Sequence, residues 1–338
     1  MSTIYDVAKR AGVSPATVSR VFNGIPVNPR LAEAVREAAA ELTFVPNRNA
    51  RRLRTKTSQI IAMLIPDVEN PFFTTMTRAV EDVARMHGYA VMLCNTDEDP
   101  EREAQYLMAA VSDPVAGIIT APVSDDSRLD AALTRGVPVV CVDRTAPAHD
   151  VDSVVVDNVA GARSSTLKLF DLGFRRVACL SGGLRVQTGG ERAEGWRQAV
   201  VAATGKEPDE ALIHRTRYTV ASGEAAMAEL LALPEPPDAV FAATNKLSLG
   251  ALRALIAADR QPPGFGVLSF GDLPLLTYTP QGVIVAHLPA REIGLTAAQL
   301  LLDRIAGQAR PSQHIVLPPI LGDDQAAWTS STSGLGRS

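Results

Sequence analysis

The first part of the chain carries apolar side chains at the three- and four-residue spacing of amphipathic helices. This spacing predicts a first helix over Ile4–Ala11, a second over Pro15–Phe22 and a third over about 29–42. Ser14 is a favourable cap for the second helix, because its hydroxyl can accept a free backbone N–H at the helix start. Three helices of this size make a minimal core.

The second predicted helix has one apolar face and one small, polar, basic face. Its apolar residues and those of the third helix form a predicted core of Val13, Val18, Val21, Phe22, Leu31, Val35, Ala38 and Leu42. The opposite face, spaced for one side of a helix, consists of Ala16, Ser19, Arg20 and Asn23. This pattern is typical of a helix-turn-helix, whose second helix enters a DNA major groove. A packing unit of the same shape without DNA contacts is the alternative.

From residue 59 onward, short apolar runs alternate with helical segments. The apolar runs predict strands near 60–65, 90–94, 117–120, 139–142, 177–181, 212–214, 239–242 and 267–270. The intervening segments predict helices near 72–87, 100–111, 126–135, 158–172, 192–203, 220–232 and 246–258. Buried parallel strands joined by crossover helices form a doubly wound sheet. The two successive series therefore predict two similar α/β lobes.

Composition excludes several protein classes. The 338 residues are 46% hydrophobic and 21% charged, enough for two or three domains with their own cores. No apolar run approaches the roughly 18 residues that cross a bilayer, and the first residues lack a signal-peptide stretch. Cys94, Cys141 and Cys179 are odd in number and widely spaced, so we expect reduced thiols and a cytoplasmic protein.

The net charge of −4 conceals two regions of opposite sign. Residues 1–58 hold ten basic and four acidic side chains, a net charge of +6, so the rest of the chain carries −10. A small basic head on a large acidic body indicates a polyanionic partner such as DNA.

The segment after the third helix, PNRNARRLRT, has only two apolar residues, Ala50 and Leu53, and cannot fold alone. It is either a solvated linker or a helix that forms only against DNA and a second copy of the chain. At this point MSTIYDVAKRAGVSPATVSRVFNG and ELTFVPNRNARRLRTKTSQIIAMLIPD strongly resemble the lactose-repressor (LacI/GalR) family of bacterial transcription regulators. The resemblance runs from about Thr3 to about Pro319.

The resemblance implies a homodimer on a palindromic operator, with paired hinge helices in the minor groove and Leu53 wedged into a base step. The positions that match the family's DNA contacts are Thr3, Tyr5, Ser14, Pro15, Ala16, Thr17, Ser19, Arg20, Asn23, Asn47, Arg48, Ala50, Arg51, Leu53 and Arg54. Arg20 is best suited to read a base, because a guanidinium fits the two acceptors of guanine.

The resemblance also implies a domain order. A helix-turn-helix domain at 1–46 and a hinge at 47–58 precede a core at 59–321, built like a periplasmic binding protein from two doubly wound lobes. We expect one lobe to hold about 59–157 plus 288–315, and the other about 158–287 plus 316–321. The tail 322–338 is polar and without a leucine heptad, which predicts no tetramer-forming coil and favours disorder.

Ligands of open α/β sheets bind beyond the carboxyl ends of the strands, where two facing lobes share one cleft. Here those strand ends carry amides, charges and two aromatic rings, which suit a small polar ligand. The family's effector contacts match Asn70, Phe72, Phe73, Asp143, Arg144, Thr188, Arg192 and Asn245, to which we add Lys246 and Asp272. Each also has a structural explanation, since Asn and Asp cap helices and the two phenylalanines can belong to the core.

Three positions depart from the family's pattern. Gly271 replaces a carboxylate that usually holds effector hydroxyls, Lys246 replaces the usual aspartate, and Leu288 replaces a frequent glutamine. A cleft that loses a carboxylate and gains an ammonium should prefer an acidic ligand. A sugar, a sugar acid and a sugar phosphate are all candidates for the effector.

No catalytic arrangement stands out, because phosphate-binding loops and nucleophile elbows are absent and the five histidines are isolated. We therefore expect no enzyme, no cofactor and no metal, and interpret the acidic run 97–103 as a helix start. The leading hypothesis is a repressor whose operator affinity shifts when an effector binds. The alternatives are a DNA-binding regulator with a vestigial pocket and, less favoured, a cytoplasmic sugar-binding or enzymatic protein.

Overall fold

The computed structural model describes residues 2–22, 25–44, 58–125, 127–183, 186–273 and 282–322. The chain divides into two compact units, Met1–Ser58 and Gln59–Ser338. Nearly all of the predicted hinge, the predicted contact Asn23 and the tail beyond residue 322 lie outside the described residues.

The first unit consists of three short helices, α1 (Ile4–Ala11), α2 (Pro15–Phe22) and α3 (Pro29–Glu41). Thr3 and Asp6 form a capping box at the start of α1, in which each side chain accepts a hydrogen bond from the backbone of the other. These bounds agree with the predicted helices to within one residue.

The core of this unit is built from valines and alanines on all three helices. Val7, Val18 and Val35 are fully buried. Leu31, predicted to face inward, is 42% exposed, and Ala32 is buried instead. Leu31 lies in the first turn of α3, and apolar spacing gives the direction of a side chain but not how far the neighbouring helices extend to cover it.

The second unit contains two sheets of six strands each among the described residues. In chain order the strands are β1 (Ile60–Ile65), β2 (Ala90–Asn95), β3 (Gly117–Thr120), β4 (Val139–Val142), β5 (Asp152–Val156), β6 (Val177–Gly182), β7 (Ile213–Thr216), β8 (Ala239–Ala242), β9 (Gly266–Phe270), β10 (Val283–His287), β11 (His314–Leu317) and β12 (Ile320–Leu321). The helices are α4 (Pro71–Met86), α5 (Pro100–Ser112), α6 (Asp130–Thr134), α7 (Asn158–Asp171), α8 (Gln187–Thr204), α9 (Val220–Leu231), α10 (Asn245–Ala257) and α11 (Ala290–Ile305), with a 3₁₀ turn at Glu210–Leu212.

The first sheet has the order β11-β5-β4-β3-β1-β2, and all its strands are parallel. The second has the order β12-β10-β9-β8-β6-β7, with β12 antiparallel at one edge and the others parallel. Every residue of β3, β4, β6, β8 and β9 is buried, as expected for parallel strands covered on both faces. Parallel strands aligned this way place their carboxyl ends at one edge of each sheet.

The chain passes between the two lobes three times. It crosses at Asp157 between β5 and α7, at Leu288 and Pro289 between β10 and α11, and at Pro318 and Pro319 between β11 and β12. The last crossing lies beyond the predicted boundary at residue 315, because β11 continues to pair with β5 as far as Leu317. No helix among the described residues is long and apolar enough to span a bilayer.

Candidate DNA-binding face and effector cleft

The predicted base-reading face of α2 is exposed at two of its four positions. Ala16 and Arg20 are accessible, Tyr5 on α1 is 71% exposed, and the Ser14 hydroxyl caps α2 by accepting a hydrogen bond from the backbone N–H of Thr17 at 3.2 Å. The Ser14 and Thr17 hydroxyls are themselves 3.0 Å apart. The basic side chain of Arg20 therefore stands on a face of short side chains that allows a close approach to a groove.

The other predicted DNA contacts are placed as follows. Thr3 is exposed, and its backbone N–H and hydroxyl donate hydrogen bonds to the Asp6 carboxylate at the start of α1. Pro15 and Ser19 are partly buried. The remaining candidates lie outside the described residues, and their roles stay predictions from the resemblance: Asn23, Asn47, Arg48, Ala50, Arg51, Leu53 and Arg54.

In the second unit, a cavity of about 1420 Å³ lies between the carboxyl ends of the two sets of strands. Residues that follow β1, β2 and β4 line it from one lobe, and residues that follow β6, β7, β8 and β9 line it from the other. Nine of the ten predicted effector contacts line this cleft, namely Asn70, Phe72, Phe73, Asp143, Arg144, Thr188, Arg192, Asn245 and Lys246.

Asp272 is the exception, because it does not belong to the described lining of the cleft. Gly271, with a φ of +115°, turns the chain just after β9, so Gly271 itself lines the cleft. Asp272 is exposed and pairs with the imidazole of His287. Gly271 brings no carboxylate to the cleft, and the carboxylate of the next residue, Asp272, is paired with His287 instead of lining the cleft.

The start of α4 supplies an amide and two rings to the cleft. The Asn70 side chain caps α4 by accepting a hydrogen bond from Phe72 N at 3.1 Å, and its oxygen also accepts one from the Asn245 side chain at 3.1 Å. Phe72 and Phe73 meet edge to face with centroids 5.1 Å apart. Phe73 is 5% exposed and belongs to the core, so Phe72 is the ring available to a ligand.

Asp143 and Arg144 follow β4 and are almost completely buried. Asp143 has a φ of +63°, a conformation that carries backbone strain in a residue other than glycine. Burial raises the pKa of the Asp143 carboxyl, and the nearby Arg144 and Arg192 oppose that rise. The Arg144 guanidinium makes two hydrogen bonds to Glu98, at 2.6 and 2.7 Å, so its charge is balanced within its own lobe.

Arg192 belongs to the other lobe, lies close enough to Asp143 to act on it electrostatically, and hydrogen-bonds to neutral acceptors. Its Nε donates to the Asn158 side-chain oxygen and its Nη1 to the Ala243 carbonyl, each at 2.8 Å. The guanidinium also lies 4.8 Å from the centroid of the Phe270 ring, a cation–π contact. A buried guanidinium held in this way presents a fixed donor beside a buried carboxylate.

The charge of Lys246 is paired across the cleft. Its Nζ lies 2.5 Å from Asp67 and 3.7 Å from Glu69, both of which belong to the other lobe. The Lys246 ammonium was the reason to expect an acidic ligand, and its charge is already balanced by two carboxylates of the protein. A third contact between the lobes joins Thr145 to Gln187, whose side-chain oxygen accepts hydrogen bonds from the Thr145 N–H and hydroxyl at 2.9 and 3.2 Å.

Tyr218 is a cleft residue that the sequence pattern did not indicate. β7 ends at Thr216 rather than at residue 214 as predicted, so Tyr218 follows the carboxyl end of a strand. Burial raises the pKa of its hydroxyl, and the nearby Arg192 opposes that rise. A Cβ at Gly182 or Gly189 would collide with the Tyr218 hydroxyl, so these glycines make room for it. The correct end of β7 was the signal that could have revealed Tyr218.

Metal-binding groups are not gathered anywhere in the described part of the chain. No set of three or more His, Cys, Asp or Glu side chains there is placed to hold a metal ion. The three cysteines are free and buried, and burial raises the pKa of the Cys141 thiol to about 12.

Comparison with known proteins gives consistent matches along the chain. Residues 3–47 match the model of bacterial regulatory proteins of the lacI family, and residues 58–320 match that of periplasmic binding proteins and the sugar binding domain of the LacI family. The ribose operon repressor of Halalkalibacterium halodurans is 34% identical over 326 residues, covering 94% of this chain and 95% of that protein.

Two similar solved structures are complexes with sugars. A complex of the transcriptional regulator CelR with cellobiose has a TM-score of 0.71 and 31% identity, covering 95% of this chain and 98% of that one. A LacI family transcriptional regulator from Enterococcus faecium with bound ribose has a TM-score of 0.70 and 26% identity, covering 78% of this chain and 97% of that one.

Proposed function

Because the chain belongs to the LacI family of bacterial regulatory proteins, with the DNA-binding and sugar-binding domains of that family, we propose that it is a homodimeric repressor controlled by a neutral sugar. The sugar binds in the cleft between the lobes and alters the affinity of the head for a palindromic operator. A DNA target implies that the protein acts in the cytoplasm.

The presence of two buried groups in the cleft lining, the Asp143 carboxylate from one lobe and the Arg192 guanidinium from the other, carries the proposal of a sugar effector. A buried carboxylate accepts hydrogen bonds from sugar hydroxyls, and a buried guanidinium donates to them. The hydrogen bonds of Arg192 within the described part of the protein use Nε and Nη1, which leaves Nη2 for a ligand. Amides at Asn70 and Asn245 and the ring of Phe72 supply further polar edges and an apolar face.

The balance of charges favours a neutral sugar over a sugar acid or sugar phosphate. Lys246 is paired with Asp67 and Glu69, and Arg144 is paired with Glu98. The charge of Arg192, whose hydrogen bonds go to neutral acceptors, is opposed by the nearby Asp143 carboxyl. A ligand anion at either cation would have to displace a carboxylate that is already in contact. The relatives with bound cellobiose and ribose are consistent with a neutral sugar.

Calorimetric titration tests the class of effector. The full-length protein is titrated with neutral pentoses, hexoses and cellobiose, and with the aldonic acid and phosphate forms of the same sugars. We expect a neutral sugar to bind more tightly than its acid and phosphate forms. Tighter binding of an acid or phosphate would overturn the neutral effector, and no binding by any sugar would favour a regulator that works without one.

Selection from a random DNA library tests the operator. We expect a palindrome whose half-sites are related by a two-fold axis, because two heads of a dimer read the two halves. A substitution of Arg20 by alanine should relax the preference at one base pair per half-site, as loss of a guanine-reading fork does. A selected sequence without symmetry would contradict the dimeric mode of binding.

The outer strand of the first sheet supports a homodimer. β2 lies at the edge of that sheet, and Met92 and Leu93 on it are each 40% exposed. Met86 at the end of α4 and Met108 on α5 are 73% and 52% exposed. An exposed apolar edge strand is a surface that proteins usually cover, and a second copy of the chain would cover it.

Sedimentation velocity measures whether the protein is a monomer or a dimer in solution. Met92→Glu combined with Leu93→Glu should convert the dimer into a folded monomer. Val316→Glu is the matched control, because Val316 is a 55% exposed apolar residue on β11, at the opposite edge of the same sheet. A monomer produced by Val316→Glu alone would place the interface at that other edge.

A further inference from the structure

A continuous chain of hydrogen bonds connects the cleft to the contact between the lobes. Arg192 Nε donates to Asn158 Oδ1 at 2.8 Å, and Asn158 Nδ2 donates to Glu191 Oε2 at 2.8 Å. Glu191 Oε1 accepts from Gln187 Nε2 at 2.8 Å, and Gln187 Oε1 accepts from Thr145 N in the other lobe at 2.9 Å. Four contacts thus join a cleft-lining guanidinium to the opposite lobe.

The direction of every bond in this chain is fixed by Glu191. An ionised carboxylate only accepts hydrogen bonds, so both neighbouring amides must turn their NH₂ groups toward it. Each amide then presents its oxygen on the far side. The Asn158 oxygen faces Arg192, which can only donate, and the Gln187 oxygen faces the Thr145 N–H, which also donates.

The residues of this hydrogen-bonded chain lie at positions whose contacts a movement of the lobes would change. Asn158 is the first residue of α7, directly after the crossing at Asp157, and is 2% exposed. Gln187, Glu191 and Arg192 lie on the first turns of α8. Thr145 follows Arg144, a cleft residue of the other lobe.

We propose that Gln187, Glu191 and Asn158 are positioning residues that couple the guanidinium of Arg192 to the first lobe at Thr145. Glu191 sets the orientation of both amides, so a change in the bonding of Arg192 alters the contact between the lobes. The inference rests on the proposed function for the use of this coupling by an effector. The coupling itself is a property of the protein without ligand or DNA.

Three variants of the full-length protein test the role of Glu191. Glu191→Gln removes the acceptor-only group and leaves one amide facing an NH₂ group, and Gln187→Glu places two carboxylates against each other. The double variant, Gln187→Glu together with Glu191→Gln, exchanges the two groups and restores every donor–acceptor pair. In it, the carboxylate at position 187 accepts from Thr145 and from the amide at position 191, whose oxygen accepts from Asn158. Glu194→Gln is the matched control, since Glu194 lies on the same helix and pairs with Arg197 outside the chain of bonds.

Two measurements report on the two ends of the hydrogen-bonded chain, Thr145 and Arg192, and neither requires a sugar or an operator. One is the hydrogen-exchange rate of the Thr145 amide, and the other is the side-chain Nε–H resonance of Arg192 in a ¹H–¹⁵N spectrum. We expect Glu191→Gln to accelerate Thr145 exchange about tenfold, as the loss of one hydrogen bond allows, and to shift the Arg192 resonance, although the Glu191 side chain is hydrogen-bonded to Asn158 and Gln187 rather than to either reporter group. The double variant should return both signals to their original values.

The reverse perturbation tests the coupling itself. Arg192→Lys removes the Nε–H that Asn158 accepts, and we expect it to accelerate exchange at Thr145 in the other lobe. The proposal is overturned by unchanged Thr145 exchange in Glu191→Gln or Arg192→Lys, by a double variant no better than the single ones, or by an equal effect of Glu194→Gln. These outcomes do not depend on which sugar or operator the protein binds, so failure here is distinguishable from failure of the proposed function.

Discussion

At the scale of single residues, the cleft was largely predictable because its side chains follow strands. Asp143 was predicted from strand-end placement and from the resemblance, Arg192 from the resemblance alone, and both line the cleft. The role of Lys246 was not predictable, because its partners Asp67 and Glu69 belong to the other lobe and lie far earlier in the chain. Sequence position gives the charge of a residue, and only the fold gives the partner that neutralises it.

Gly182→Ala should damage the cleft through Tyr218. The added Cβ would meet the ring and hydroxyl of Tyr218, which is packed over Gly182 and Gly189. We expect a loss of about 1–3 kcal/mol in the free energy of unfolding, the usual cost of overpacking, and weaker sugar binding. Thermal unfolding and calorimetric titration measure the two effects.

The neighbouring glycine provides the control for that substitution. Among the described residues, no atom lies within 4 Å of a Cβ at Gly183, so Gly183→Ala should leave the free energy of unfolding nearly unchanged. Equal losses in the two variants would show that the backbone at this strand end, rather than the Tyr218 contact, is sensitive to substitution.

At the scale of elements, strands and helices that alternate clearly were predicted to within a few residues. β5, β10, β11, β12 and α11 were not predicted, although Asp152–Val156 and Val283–His287 are short apolar runs of the expected kind. Their positions depend on the crossings between the lobes, since α11 follows a strand of the second sheet yet packs on the first. Apolar periodicity does not indicate to which sheet an element belongs.

Asp152 joins β5 to α11 and to the segment before β11, and it should make stability depend on pH. Its buried carboxylate accepts hydrogen bonds from Arg304 at 2.8 and 3.0 Å and from Gln313 N at 2.7 Å, and it pairs with Arg310. Burial opposes ionisation, but the hydrogen bonds from Arg304 and Gln313 outweigh it and lower the pKa of Asp152. A lowered pKa in the folded state contributes stability above the unfolded value of about 3.9, which is lost as the pH falls through the folded value.

Asp152→Asn should therefore cost about 3 kcal/mol in the free energy of unfolding at pH 7, as expected for breaking a buried ion pair. The difference from the original protein should shrink as the pH falls below about 4. Urea unfolding at a series of pH values measures it. Asp303→Asn is the control, since Asp303 accepts a hydrogen bond from Gln299 at the surface, and a similar loss there would contradict the special role of Asp152.

At the scale of the whole molecule, the charge division and the two units were both evident from the sequence. The basic head and the acidic body coincide with Met1–Ser58 and Gln59–Ser338. The acidic body has the same sign of charge as the DNA phosphates and is repelled by them. The basic head alone should therefore determine how DNA affinity falls with increasing salt concentration. Three polar contacts between the lobes in the described part of the chain were not predictable, because Lys246–Asp67, Asn245–Asn70 and Thr145–Gln187 depend on how the two sheets face each other.

A chain that begins at residue 59 should fold and bind sugar but not DNA. The core of the second unit is formed within Gln59–Ser338, and every cleft residue belongs to it. Circular dichroism and thermal unfolding measure its fold, and calorimetric titration compares its sugar affinity with that of the full chain. Loss of sugar binding in a folded core would mean that the head contributes to the cleft.

The ion pair of Lys246 with Asp67 should hold the lobes together across the cleft. Lys246→Met and Asp67→Asn each remove this pair, and each should weaken sugar binding about fivefold, because closure then lacks roughly 1 kcal/mol from a partly exposed ion pair. The double variant should be no weaker than either single variant, since one contact can be lost only once. Calorimetric titration of the four proteins measures the cycle. If the two residues instead contacted the sugar independently, their effects would add. Glu69→Gln is the control, because Glu69 is 3.7 Å from the ammonium and mostly exposed, and it should leave the affinity nearly unchanged.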